Sequence, residues 1–311
     1  YCMPKALCGA NHAFMPRAAL LTFEAIARIA GVFTALGVRK LRLTGGEPLI
    51  RRDIDVLVDM LARVPDIEDI SLTTNASLLT LDKARALKQA GLNRITVSLD
   101  GMDDATFQAM NDVGFPVAKV LEGIDNAEQA GLAPIKINMV VQRGVNDHDI
   151  VAMAEHFRGT PHIVRFIEYM DVGNSNGWRL DEVVPSREVV ERISAHWPIE
   201  PAAPNYRGEV AARYRYTDGG GEIGMISSVT QPFCGDCSRA RLSAEGKLFT
   251  CLFASAGHEV RDRMRAGDSD AALYDYLAGI WIRRADRYSE LRTHETKPID
   301  TRKIEMSYIG G

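Results

Sequence analysis

The chain has 311 residues, 46% hydrophobic and 25% charged, with 37 Lys and Arg against 41 Asp and Glu for a formal charge of −4. That composition describes a globular chain long enough for one large domain or two ordinary ones; it disfavours a nucleic-acid binder with a broad basic face but leaves room for a local basic pocket. The longest apolar runs fall short of a membrane span and no signal-peptide pattern opens the chain, so a cytoplasmic protein in contact with neither membrane nor nucleic acid is expected.

Residues 22–36 carry apolar side chains at helical spacing, and 40–44 (KLRLT) read as a short strand ending in Gly45-Gly46. A helix over 53–63 and a strand over 69–74 (DISLTT) come next. A helix over 81–90 stops at Gly91, and a strand follows over 94–99. A helix over 118–130 stops at Gly131; a strand at 135–141, a helix at 147–158 and a strand at 163–167 complete the run. Repeated β-α units imply parallel strands with right-handed crossovers. Polar residues gather at the C-terminal strand ends: Thr44, Thr73, Thr74, Ser98, Asp100, Asn138 and Glu168. A barrel collects such ends in one mouth, whereas an open sheet places its site mainly at the switch point. The expected fold is α/β, an incomplete (β/α) TIM-type barrel with too few strands to close.

The texture changes after residue 172, which gives an expected division into 1–172 and 173–311. Residues 198–204 read as a proline-rich connector. Strand-like runs at 210–217 and 222–229 flank Asp218-Gly219-Gly220-Gly221, a hairpin signal. A cysteine segment follows, then a helical region over 268–284 and a charged tail ending in Ile309-Gly310-Gly311.

The chain has five cysteines, an odd number, and three share one short stretch. This argues against a secreted disulfide framework and for metal ligation in a reducing compartment. Cys234-Gly235-Asp236-Cys237 is a CxxC turn, and a strand pair over 240–243 and 247–250, turning at Glu245-Gly246, would return Cys251 to it. Spacing alone leaves two readings open: a zinc knuckle with His258 as fourth ligand, or a [4Fe–4S] cluster with three thiolates and one open iron. Arg239 and Arg241, alternating on a strand, would face one side beside the thiols and suit phosphate oxygens, although a solvated strand face is the commoner fate of such a pair.

Near the front, Leu43-Thr44-Gly45-Gly46-Glu47-Pro48 turns a strand into a loop whose glycines let backbone approach a ligand. With YCMP upstream, LTTN, VSLDG, IKINMVV, RFIEYMDVGNSNGW, FCGDCSRARLSAEGKLFTCLF and the terminal YIGG, these residues resemble the radical S-adenosylmethionine (SAM) superfamily. Within it they resemble the GTP 3′,8-cyclase family of molybdenum cofactor biosynthesis, over essentially the whole chain.

The resemblance implies two [4Fe–4S] clusters and S-adenosylmethionine as cofactors. The first cluster sits on CxxxCxxC after the first barrel strand. Tyr1 and Cys2 match the last two positions of that motif, so the chain is expected to be N-terminally truncated, lacking the first strand and two cluster cysteines, and as written to be inactive. Cys8 has the wrong spacing and reads as an ordinary thiol. The adenosylmethionine site is implied at Tyr1, Gly46, Ser98 and Met170. GTP contacts are implied at Arg42, Thr73, Lys136, Arg165, Arg239 and Arg241, with the second cluster on Cys234, Cys237 and Cys251 in the smaller C-terminal region. The implied reaction is abstraction of the ribose 3′ hydrogen of GTP and closure of C3′ onto C8, giving (8S)-3′,8-cyclo-7,8-dihydroguanosine 5′-triphosphate. A homodimer is implied, as is delivery of the product to the cyclic pyranopterin monophosphate synthase. The tail is expected to reach the active site, so that losing Gly310-Gly311 abolishes cyclisation. Two other readings stand beside this one: a different radical SAM enzyme with an auxiliary cluster, and a non-catalytic nucleotide- or zinc-binding protein.

Overall fold

Thr22 sets the start of the first helix, α1 (Phe23–Ala35), by accepting the Ala25 amide on its hydroxyl at 3.2 Å. β1 (Lys40–Leu43) follows, then a 3-10 turn at Pro48–Ile50 and α2 (Ile54–Ala62). β2 (Asp69–Thr74), α3 (Leu81–Gln89) and β3 (Arg94–Ser98) continue the alternation. Next come α4 (Asp104–Asn111), α5 (Val117–Gln129), β4 (Lys136–Val141), α6 (Ile150–Phe157) and β5 (Ile163–Glu168). The expected stops at Gly91 and Gly131 are left-handed glycines, φ +106° and +77°, whose amides close on the Lys88 and Glu128 carbonyls. These elements belong to a computed structural model that describes residues 15–112, 114–174, 176–292 and 303–310; Tyr1, Cys2, Cys8 and Gly311 lie outside the described residues.

Beyond β5 come α7 (Ser186–Ser194), β6 (Ile199–Ala202), β7 (Ala212–Tyr216) and β8 (Glu222–Ile226). The eight-stranded sheet runs β1-β2-β3-β4-β5-β8-β7-β6. β1 to β5 and β8 are parallel, and the expected hairpin joins β7 antiparallel to β8. Strands from beyond residue 172 thus extend the sheet begun before it. β1 and β6 are its edges among the described residues, so the barrel is incomplete, as expected.

Several details depart from the sequence reading, which also passed over α4. The connector expected over 198–204 contains β6, with Pro201 opposite Tyr214. As an edge strand it needs no amide from proline on its free side. The helix expected over 147–158 opens with a 3-10 turn at Asp147–Asp149 before α6 begins. Finally, the stretch Arg17–Ala35 is apolar and long enough, by length and composition, to cross a membrane, contrary to the expectation from apolar runs alone. Here it is a short 3-10 turn followed by α1, whose Ile29 and Val32 are packed in the protein core.

The cysteine region forms a three-stranded antiparallel sheet in the order β11-β10-β9, from β9 (Arg241–Leu242), β10 (Lys247–Phe249) and β11 (His258–Glu259). Helices α8 (Arg261–Arg265), α9 (Asp270–Ile282), α10 (Tyr288–Leu291) and α11 (Met306–Ile309) complete the chain. α9 lays Leu273, Leu277 and Ile280 into a core shared with Ile29 and Val32 of α1 and Leu248 of β10. That apolar seam fixes the cysteine sheet against the barrel's first helix, and so against β1.

Candidate active site

One face of the sheet carries cations that have no carboxylate partner among the described residues. Arg42 on β1, Lys136 on β4 and Arg165 on β5 point into one basin, and Arg239 and Arg241 border it from the cysteine region. Among the described residues none of these five lies within 4 Å of a carboxylate. Five other arginines differ: Arg94, Arg143, Arg158, Arg192 and Arg213 are all ion-paired, Arg94 with Asp69 at the basin's edge. Burial, with Arg165, Arg94 and Arg42 nearby, pushes Lys136 down to about 8. Burial and Arg42 likewise push Arg165 down, and burial and Arg239 push Arg241 down. Guanidinium groups stay protonated even so, and the crowding is stored as repulsion that an anion would relieve. Thr73 and Asn138 are the neutral members, accepting from Arg42 at 3.4 Å and from Arg165 at 2.9 Å.

At the C-terminal strand ends the Gly45-Gly46 loop is pinned by Glu47. Its carboxylate accepts the Leu49 amide at 3.0 Å, the Thr74 hydroxyl at 2.7 Å and the Asn75 amide at 2.8 Å. The glycine backbone is therefore held still beside β2 while Gly46 stays exposed. Ser98 ends β3 half-buried, and Met170 stands just beyond β5. Glu168 has a structural role: it accepts from Ser186, Val229 and Thr230, tying β5 to the segment that leads into Cys234.

Cys234, Cys237 and Cys251 are free, half-buried thiols. Burial raises the Cys237 thiol, but the Arg239 charge and hydrogen bonds from Arg239 and Arg284 outweigh it and bring it down to about 7. Burial keeps Cys251 high. The turn is braced from α10 and the segment before it, with the Gly235 amide donating to Glu290 at 3.0 Å and Arg284 donating to the Cys237 carbonyl at 2.7 Å. Four ligands around one zinc ion would stand about 3.8 Å apart. Among the described residues only Asp103, His148 and Asp149 bring three ligand atoms within 4.8 Å of one another; the cysteines and His258 do not.

The arginine pair differs from the sequence reading. β9 begins at Arg241, opposite Phe249, so Arg239 lies before the strand in irregular chain. Its guanidinium stacks over the Phe233 ring, 5.1 Å from the centroid, while Arg241 is half-buried. The CxxC turn and the Arg284 bond to the Cys237 carbonyl occupy the backbone upstream and delay the ladder.

The tail closes the site. The Gly310 carbonyl accepts from Arg241 Nε at 3.2 Å, and a Cβ at Gly310 would lie 2.4 Å from Thr44 Cγ2. Gly310 has φ +74°, so the side-chain-free, left-handed residue is required twice over. Sequence reasoning missed Glu290 and Arg284, which brace the thiol turn, and Asp171 with its partners at the tail's base. A carboxylate inside the motif MDVGNSN was the available signal for Asp171; the bracing pair left none.

The class follows from this arrangement: a partial parallel barrel with a glycine loop at its mouth, a cation basin inside and a thiol set at the rim. The profile of the radical SAM superfamily matches residues 1–157, and the profile described as Molybdenum Cofactor Synthesis C matches residues 162–290. A GTP 3′,8-cyclase of Acidothermus cellulolyticus is 54% identical over 100% of this chain and 92% of that protein. One from Xanthomonas axonopodis is 49% identical over 100% and 91%, and one from Staphylococcus aureus 48% over 100% and 92%. The chain belongs to the GTP 3′,8-cyclase family, whose superfamily chemistry uses a [4Fe–4S] cluster and S-adenosylmethionine.

Proposed function

We propose that this chain converts GTP to (8S)-3′,8-cyclo-7,8-dihydroguanosine 5′-triphosphate, the first step of molybdenum cofactor biosynthesis. The observation that carries this reading is the basin of cations, without carboxylate partners among the described residues, lying beside three free thiols. Adenosylmethionine on a cluster that includes Cys2, when bound, supplies a hydrogen-abstracting radical. Tyr1, Gly46, Ser98 and Met170 would hold the adenosylmethionine, with Gly46 offering backbone groups and Ser98 a hydroxyl. Arg42, Thr73, Lys136, Arg165, Arg239 and Arg241 would hold GTP, the cations neutralising its triphosphate. Cys234, Cys237 and Cys251 would hold a second [4Fe–4S] cluster facing the guanine. The reaction removes one hydrogen from ribose C3′, joins C3′ to C8 and takes up one electron and one proton, so the product is an isomer of GTP. The protein contributes orientation and exclusion of water.

On this reading residues 1–172 serve radical generation and residues 173–311 carry the auxiliary cluster and complete the GTP site. The chain works as a cytoplasmic homodimer that passes its product to the cyclic pyranopterin monophosphate synthase. The test is anaerobic incubation with GTP, adenosylmethionine and reductant, using a form in which the CxxxCxxC motif is complete. A new species with the mass of GTP and altered guanine absorbance is expected, and no product after reconstitution with full iron content would refute the activity. Zinc instead of iron at Cys234, Cys237 and Cys251 in natively isolated protein would favour the non-catalytic reading.

A further inference from the structure

Asp171 follows Met170 at the end of β5 and is the centre of a buried ionic knot. Its carboxylate meets Arg292 Nη2 at 2.5 Å and Lys303 Nζ at 2.8 Å, and accepts from the Tyr288 hydroxyl at 2.5 Å. Lys303 also donates to the Asp171 carbonyl at 2.7 Å. The side chains of Asp171, Arg292 and Lys303 are only 13%, 8% and 10% exposed, so one carboxylate serves two buried cations. Phe253 and Tyr288, stacked with centroids 4.4 Å apart, wall the knot, and both cations lie over their rings. A buried cation that loses its counterion is strongly unfavourable, so the knot depends on this one carboxylate.

Lys303 begins the described tail, and the contacts from there run in order toward the site. Asn174 exchanges two hydrogen bonds with the Lys303 backbone, at 2.5 and 3.1 Å, and its own amide donates to Glu305 at 3.0 Å. The Ile304 amide donates to the Ala254 carbonyl at 2.9 Å, three residues past Cys251. The Tyr308 hydroxyl bonds Glu245 in the cysteine hairpin, and Gly310 ends on Thr44 and Arg241. Asp171 stands at the base of this run and Gly310 at its tip.

We propose that Asp171 is a positioning residue, holding Lys303 so that the tail's tip seats between the glycine loop and Arg241. The inference rests on the reading of the site given above, because the tip matters only if that site binds GTP. The knot aligns the tail from its root: without it, two like charges share an aromatic cage and the segment is pushed out. Asp171 touches neither reacting group and acts through Lys303.

Hydrogen exchange on the full chain tests this, because it does not depend on turnover. In Asp171→Asn the amides of Ile304, Tyr308 and Gly310 should exchange at least tenfold faster while those of β2 to β4 keep their rates. Lys303→Gln should reproduce the effect, and the double variant should be no worse than the more severe single one. In the reconstituted enzyme Asp171→Asn should lower kcat at least tenfold and leave the GTP Kd within about threefold. Unchanged tail exchange in both single variants would overturn the proposal, as would faster tail exchange with unaltered kcat. If Asp171→Asn does not fold, Lys303→Gln decides alone. Absence of product from the parent enzyme would strike the functional reading instead, leaving the exchange result to judge the clamp.

Discussion

Replacing Gly310 with alanine should lower product formation roughly 100-fold while iron content stays at the parent level. Two terms act at one atom. The backbone, φ +74° and ψ +150°, lies in a region essentially open only to glycine and costs a Cβ about 1–3 kcal/mol, and the new carbon would lie 2.4 Å from Thr44 Cγ2. Thr44 cannot give way readily, since it leads into the loop that Glu47 pins to β2. The tip must therefore withdraw, taking with it the carbonyl that Arg241 holds. Displacement of about 1 Å at a reacting centre is enough for a loss of this size. Rates from single-turnover product formation, with iron and sulfide measured on the same samples, check it; parent-level turnover by Gly310→Ala would show that the tail is ornamental.

Removing a basin cation should weaken GTP binding and leave the empty protein at least as stable. Arg241→Met deletes a half-buried charge that has no carboxylate partner, so its repulsion with Arg239 and Arg42 disappears from the apo fold, at the loss of its hydrogen bond to the Gly310 carbonyl. GTP would lose a charge-assisted contact of about 2–3 kcal/mol, roughly 30- to 150-fold in Kd. Calorimetric titration beside a thermal melt reads both quantities; a falling Tm with unaltered Kd would mean that the arginine is structural.

The same basin sets a pH dependence. Burial and the neighbouring Arg165, Arg94 and Arg42 push Lys136 down to about 8 from an ordinary 10.5. Between those values the unfolded chain binds more protons than the folded one, so Lys136 makes stability rise with pH across that window. Phosphate beside it restores the ordinary pKa. Binding then takes up a proton above about pH 8, and GTP affinity falls as pH is raised from there. Lys136→Met should remove that slope, and an affinity flat from pH 7.5 to 9 in the parent would contradict the assignment.

Much of this was legible because it is local. Periodicities of 3.6 and 2 gave the β-α alternation, the left-handed glycines gave the helix stops at Gly91 and Gly131, and CxxC with a returning hairpin gave the thiol set. What escaped was short or distant. α4 has eight residues and buries only Thr106, Phe107 and Met110, too few to show a period. β6 carries Pro201, which ordinarily argues against a strand and is admitted here only by the sheet edge. Arg239 looked like a strand residue, but pairing starts two positions later, where Arg241 meets Phe249. The Asp171 knot joins positions 117 and 132 residues apart, and no local pattern encodes it.

On the proposed function this site holds ribose C3′ of GTP against the radical source. GTP deuterated at ribose C3′, incubated with adenosylmethionine and reductant under the reconstituted conditions above, tests it most directly. The expected product is 5′-deoxyadenosine carrying one deuterium, formed together with the cyclised nucleotide and reduced in Arg241→Met at limiting GTP. Deoxyadenosine that forms at the full rate without deuterium, from protein with bound GTP, would contradict it.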